Sequence, residues 1–239
     1  MEICKGLKLN PNKREILSFV GGGGKTTTIF TLGEELKYLG KKVLITTSTN
    51  ISNPKEGYDY YFLGNIPGDF KPTNGSITIV GEEAKGRKLV GLSLKKLDKI
   101  IEDKIFHYIL IEADGAKRMP IKALAKHEPV VSKYTTKTFG IIGIDSLDKL
   151  IKNTVHRPEL FIKIVDKNLD EKVLEEDIVK LVLHSKGLFK DAKGEKILFL
   201  NKINNEEALA RGYKIRKELE KKAFPGMIIL GDIKKGVFY

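Results

Sequence analysis

Cysteine, tryptophan and arginine are scarce in this chain. Of its 239 residues one is cysteine and none is tryptophan. Cys4 stands alone near the start, which excludes an intramolecular disulfide and a cluster of thiolate metal ligands and fits a reducing compartment. No run of about 18 apolar residues occurs, and the opening MEICKGLKLNPNKR lacks the apolar stretch of a signal peptide, so the expectation is a cytoplasmic protein with no membrane segment.

Positive charge is abundant but of one kind. Lysine and arginine together number 43 against 31 acids, a formal net charge of +12, yet the only arginines are Arg14, Arg87, Arg118, Arg157, Arg211 and Arg216. The lysines are scattered along helical stretches with no stripe of basic and aromatic residues. A nucleic-acid partner is therefore not expected, whereas a small anion such as a nucleotide is drawn in.

The chain is long enough for one large α/β domain spanning 1–239, and no repeat or linker divides it. EILSFV (15–20) is short and apolar, glycines break it, and a helical pattern runs from about Lys25 to Leu39. Gly40 ends that helix, and KKVLITTST (41–49) reads as a buried strand, which completes a βαβ unit with parallel strands. Between about 50 and 93 prolines and glycines punctuate short pieces such as SITIV, suggesting a small β-rich insertion after the second strand. Helix Leu94 to Asp103, strands at 107–111, 138–145, 195–204 and GMIILGDI, and helices in 177–185 and up to Lys222 complete an alternation of strand and helix. Such alternation predicts a three-layer α/β fold with a mainly parallel sheet.

Three motifs carry chemistry. The first is FVGGGGKTTT. The strict phosphate-loop pattern GxxxxGK[ST] would place glycine where Phe19 stands, but strand, glycine loop and helix follow in the right order. The amides of Gly21, Gly22, Gly23 and Gly24 and of the helix start can converge on phosphate oxygens, Lys25 can reach the outer phosphates, and Thr26, with Thr27 beside it, offers a hydroxyl to magnesium. The second, LIEADGAK, ends a buried strand in Glu112 and Asp114, candidates for holding magnesium or orienting a nucleophile. The third is FLNKIN. Asn201 and Lys202 match the guanine-reading pattern NKxD, but Asn204 replaces its aspartate; an amide accepts through one oxygen only, so ATP is slightly favoured over GTP.

Other polar clusters are less specific. TTSTN (46–50) should open toward the same sheet edge as the glycine loop. His127 and Glu128 lack the HExxH spacing of a metal site, and a surface turn fixed by Pro129 is the simpler reading. In VHRPEL, Pro158 suits the first turn of a helix.

At Gly21, Gly22, Gly24, Lys25 and Thr26 the chain resembles a branch of P-loop proteins that includes metallocentre-maturation GTPases and MinD-like ATPases. It departs at Val20, where MinD-like members carry a lysine used in dimers, although a homodimer remains an option. Taken in order, GGGGKTT, TTST, EADGAKRMPIKA, HEP, VHRPE and FLNKIN are similar to the YqeC family of accessory proteins for selenium-dependent molybdenum hydroxylases; Leu124 and Ser132 stand where that family has prolines. The resemblance implies a P-loop protein that binds ATP or GTP with Mg2+, with Lys25, Glu112 and Asp114 at the centre, and that serves an apo-hydroxylase or a selenium species. Turnover of the nucleotide, as an NTPase, is the expectation. The alternatives are a nucleotide-gated chaperone for an apoenzyme, and an ATP-dependent phosphoryl transfer or ligation on a small acid.

Overall fold

The computed structural model describes residues 2–239. The chain opens with a short helix, α1 (Glu2–Gly6), then β1 (Glu15–Gly21), α2 (Lys25–Tyr38) and β2 (Lys42–Thr47). Strands β3 (Ile51–Ser52), β4 (Tyr60–Leu63), β5 (Ser76–Gly81), β6 (Glu83–Lys85) and β7 (Lys88–Val90) precede α3 (Leu94–Glu102) and β8 (Tyr108–Glu112). Next come β9 (Ile121–Lys122), β10 (Lys137–Gly143), a 3-10 turn (Ile144–Ser146), α4 (Ile151–Thr154), β11 (Val155–His156), α5 (Pro158–Val165) and α6 (Glu175–Leu183). The chain closes with β12 (Glu195–Asn201), α7 (Glu206–Lys221), β13 (Met227–Asp232) and β14 (Val237–Phe238).

Nine of the strands form one sheet in the order β14-β13-β12-β10-β1-β8-β2-β5-β4, parallel throughout except for β14. Every residue of β1 is buried, as expected of a central parallel strand covered on both faces. On one face Leu17, Phe19, Val43, Ile45 and Leu110 pack against α1 and α2 through Ile3, Leu32 and Leu36. On the other, Ile16, Leu44 and Ile111 meet α3, while Val20, Ile142 and Leu198 meet α5, α6 and α7. The fold is thus a three-layer α/β sandwich with a mostly parallel central sheet. No helix among the described residues is long and apolar enough to cross a membrane.

One sequence expectation changes. The region 50–93 is not wholly an insertion, because β5 and β4 extend the main sheet in parallel; only β3, β7 and β6 make a separate small sheet. Ser76–Gly81 is buried along its length, and Tyr60 and Phe62 at the sheet edge both lean on Phe70, with ring centroids 5.0 and 4.8 Å apart. Elements α1 and β14 carry almost no periodic signal because they are held from outside. The Glu35 carboxylate accepts the N–H groups of Ile3 at 3.0 Å and Cys4 at 2.8 Å, and Phe238 stacks on Phe199.

Phe19, the residue that departs from the strict glycine pattern, is a core residue. It is fully buried and stacks on Phe139 of the neighbouring β10, centroids 5.2 Å apart. Phe19→Ala should lower unfolding stability by about 3–5 kcal/mol, from lost burial plus the cavity left behind. Urea titration checks it, and a loss below about 1 kcal/mol would show that the sheet centre tolerates the hole.

Candidate functional site

Sheet order sets the site. From β1 the chain crosses to β2 on one side, while β10 lies on the other, so the connections diverge at the C-terminal end of β1. In open α/β sheets that divergence leaves a crevice where ligands bind. The glycine loop fills it, and α2 begins at Lys25 with Gly24 in a left-handed conformation (φ 117). No side chain caps this helix, and Thr28 is the first residue whose amide finds a carbonyl, that of Gly24 at 2.9 Å. The amides of Gly24, Lys25, Thr26 and Thr27 have no protein acceptor among the described residues. They are the unpaired donors of a helix start, reinforced by its dipole.

The other glycine amides are placed differently from expectation. The amide of Gly21 donates to Asp114 Oδ2 at 2.8 Å, that of Gly22 to the Ile141 carbonyl at 2.9 Å, and that of Gly23 to the Met119 carbonyl at 3.0 Å. Protein acceptors satisfy all three, so the open donor set begins at Gly24 rather than at Gly21.

Lys25 is almost fully buried, and its ammonium lies 2.9 Å from Asp114 Oδ1, 3.8 Å from Glu112 Oε1 and 2.5 Å from the Gly21 carbonyl. Burial alone would lower its pKa, but Asp114 and Glu112 outweigh burial and raise it. The exposed Thr26 donates its hydroxyl to Glu112 Oε2 at 2.9 Å. Burial pushes the Glu112 carboxyl up, against the pull of Lys25 and Thr26. Glu112 and Asp114 therefore both converge on the start of α2, as the sequence indicated. No group of three or more His, Cys, Asp or Glu is gathered for a metal among the described residues. A cation held here needs hydroxyl, water or phosphate oxygens beside the two carboxylates, the arrangement typical of Mg2+ bound together with a phosphate substrate.

The charge cluster continues beyond what the sequence suggested. The completely buried Lys122 lies 3.7 Å from Asp114 Oδ1 and 2.9 Å from Glu128 Oε1, and donates to the Gly115 carbonyl. Glu128 also accepts from the Arg157 guanidinium and from the Ala125 amide. This corrects the reading of HEP as a surface turn. His127 is exposed, but Glu128 is buried because two cations from other segments meet it, so the two side chains form no pair. Pairing of β9 with β11 sets Lys122 beside His156, and Pro158 does start α5, with Arg157 preceding it at φ 62. Burial lowers the Lys122 pKa, while Lys122 and Arg157 overcome burial to hold the Glu128 carboxyl at about 2.

Asn201 reaches the glycine loop. Its side-chain amide donates to the Gly23 carbonyl at 2.8 Å and its oxygen accepts the Ile233 amide at 3.0 Å, so it braces the loop with both ends occupied. Lys202 pairs with Asp145 at 2.9 Å, and Asn204 is exposed beyond it. Three of the TTSTN hydroxyls are used internally. Thr46 donates to the Val80 carbonyl, Thr47 to the Glu112 carbonyl and Ser48 to the Val130 carbonyl.

A three-layer α/β protein with a buried lysine–carboxylate centre at the strand ends is the class these features define. Within it, the chain belongs to the YqeC family: the family model described as YqeC protein matches residues 17–159, from within β1 to the end of the VHRPE segment, EADGAK and HEP included. It is also 31% identical over 213 residues to a protein of Escherichia coli K12 described as uncharacterized protein YqeC, across 86% of this chain and 83% of that one.

A pH signature follows from Glu128. Its folded-state value of about 2 lies below the ordinary 4.5, so its stabilisation is fully present above pH ~4.5 and is lost as the pH falls toward 2. The difference corresponds to about 3 kcal/mol. Glu128→Gln should therefore destabilise the protein by roughly that amount at pH 7, with the gap to the parent closing between pH ~4.5 and ~2.5 in urea titrations. A gap independent of pH would mean that Glu128 acts through packing alone.

Proposed function

We propose that this protein binds a magnesium–nucleoside triphosphate, ATP or GTP, at the start of α2 and turns it over as an accessory factor in the maturation of selenium-dependent molybdenum hydroxylases. The observation that carries the nucleotide reading is the convergence of Lys25, Thr26, Glu112 and Asp114 on a helix start with four unpaired amides. The hydroxylase role is supported by the resemblance of the family motifs.

The residues present fit such a ligand. The amides of Gly24 to Thr27 and the Lys25 ammonium would hold phosphate oxygens, and Thr26, Glu112 and Asp114 would hold the cation. Bound there, the nucleotide supplies a phosphoanhydride bond to be cleaved. Lys25 and the amides stabilise negative charge from positions the fold already fixes, so that no reorganisation is needed at the moment of reaction. Glu112 and Asp114 set the metal requirement: a phosphate alone would draw Lys25 away, leaving buried Glu112 without an ammonium partner and Asp114 with Lys122 only, at 3.7 Å, which is costly, whereas cation and phosphate together satisfy both signs. The charge path from Asp114 through Lys122 and Glu128 to Arg157 favours, as a second reading, a nucleotide-gated chaperone over ligation of a small acid. Phosphate release without any acceptor fits an NTPase or switch; release only with a small acid present would favour transfer.

Lys25→Ala should weaken binding of both Mg-ATP and Mg-GTP on the order of 100-fold, the value of a charge-assisted contact of about 3 kcal/mol. Calorimetric titration checks it on protein whose melting curve shows a folded state. Thr26→Ala, an exposed change that the fold tolerates, should reduce the magnesium dependence of the same binding. Parental affinity in Lys25→Ala would sink the nucleotide site.

A further inference from the structure

The centre around Lys25 leaves the base of the nucleotide unspecified. Two cavities, about 280 and 270 Å³, flank the loop that follows β12, and Asn204 and Asn205 line both. The smaller lies between the 3-10 turn after β10 and helix α7; Ile144, Leu147 and Ala208 are apolar in its lining, and the rest is polar, with five charged side chains, Asp145 and Lys202 among them.

This cavity adjoins the glycine loop. A methyl group added to Gly143 would lie 3.1 Å from Gly23 Cα and 2.5 Å from Asp145 Oδ1, and Asn201, next to Lys202, holds the Gly23 carbonyl. With strands spaced about 4.8 Å apart, the ends of β10 and β12 lie about 5 and 10 Å from that of β1, the reach of a ribose and base from the phosphates. Lys202 adopts φ 68, and the ion pair it makes with Asp145 is more than a third exposed on both sides. Such an exposed pair is weak and leaves both side chains open to a ligand. Asp145 Oδ2 accepts from Lys202, and Oδ1 accepts no hydrogen bond among the described residues.

We propose that this cavity takes the nucleobase and that Asp145 and Lys202 select guanine there. The inference rests on the nucleotide reading above. A carboxylate only accepts, through two oxygens, and an ammonium only donates. Guanine presents two adjacent donors, N1–H and the 2-amino group, beside the O6 acceptor, so Asp145 takes the donors and Lys202 serves O6. Adenine presents one donor beside an acceptor, and the second carboxylate oxygen then faces a lone pair. Asp145 thus supplies the two-oxygen acceptor that Asn204 lacks, and the slight preference for ATP drawn from Asn204 is reversed.

Competition binding of GTP, ATP and xanthosine triphosphate with Mg2+ tests this on the full chain, in the parent, in Asp145→Asn and in Lys235→Met, which alters the other cavity. The parent should favour GTP over ATP by about tenfold or more. Asp145→Asn, an exposed change, should lose about tenfold for GTP, hold ATP within about twofold, and gain xanthosine triphosphate, whose 2-oxo group suits the new amide donor. Lys235→Met should leave all three affinities unchanged. Equal or tighter ATP binding by the parent, an unchanged GTP-to-ATP ratio in Asp145→Asn, or a ratio that moves only in Lys235→Met would each overturn the assignment and leave the phosphate site standing. Failure of the parent to bind any of the three would instead bring down the nucleotide reading itself.

Discussion

The buried pair of Lys25 and Asp114 is the constraint on which the rest of the site depends. Taking either charge from water costs several kcal/mol, and the attraction between them offsets this only if the remaining valences are filled. Asp114 fills one with the Gly21 amide, and Lys25 fills one with the Gly21 carbonyl, so a single glycine is held from both sides and the turn out of β1 is fixed. The other Asp114 oxygen faces two ammonium groups, at 2.9 and 3.7 Å. Lys122, the second of them, needs its own counter-charge and finds Glu128, which in turn takes Arg157. Lys25, Lys122 and Arg157 thus balance Glu112, Asp114 and Glu128, and the cluster is neutral. Neutrality is what permits so many charges below the surface, and it means that no member can change partner without affecting the others.

That balance explains which parts of the site the sequence disclosed. Strand β1, the glycine break, α2 and β2 were legible because each is a local pattern: a short apolar run, residues permissive of positive φ, then helical periodicity. Glu112 and Asp114 were legible because a buried apolar strand ending in acids points to the ligand edge of a parallel sheet. Glu128 was not, because nothing local distinguishes it from a solvated turn. Its burial follows from Lys122, six residues before it, and Arg157, twenty-nine after it, brought together by the pairing of two-residue strands. Similarly, the hydroxyls of Thr46, Thr47 and Ser48 in TTSTN are spent on backbone carbonyls of three other segments, partners that only the folded sheet supplies. That the strands at 60–63 and 76–81 join the main sheet was obscured by the prolines and glycines between them, which mark turns and say nothing of where the flanking strands pair.

The glycines themselves have two explanations that act at different levels. A side chain on Gly22 would meet the Met119 carbonyl at 2.6 Å, and one on Gly23 would meet the Gly143 amide nitrogen at 2.0 Å. Both contacts are with backbone, which cannot move aside as a flexible side chain can, so glycine is required here by packing before any ligand is considered. Gly24 differs: at φ 117 it would bring a side chain only against the Asn201 amide, and its amide and those of Lys25, Thr26 and Thr27 have no partner among the described residues. The run of glycines is therefore a close-packed turn followed by an open helix start. Because Asp114, Ile141 and Met119 hold the first three amides, the loop is already shaped before a ligand arrives, and binding there draws on donors whose direction costs no further ordering.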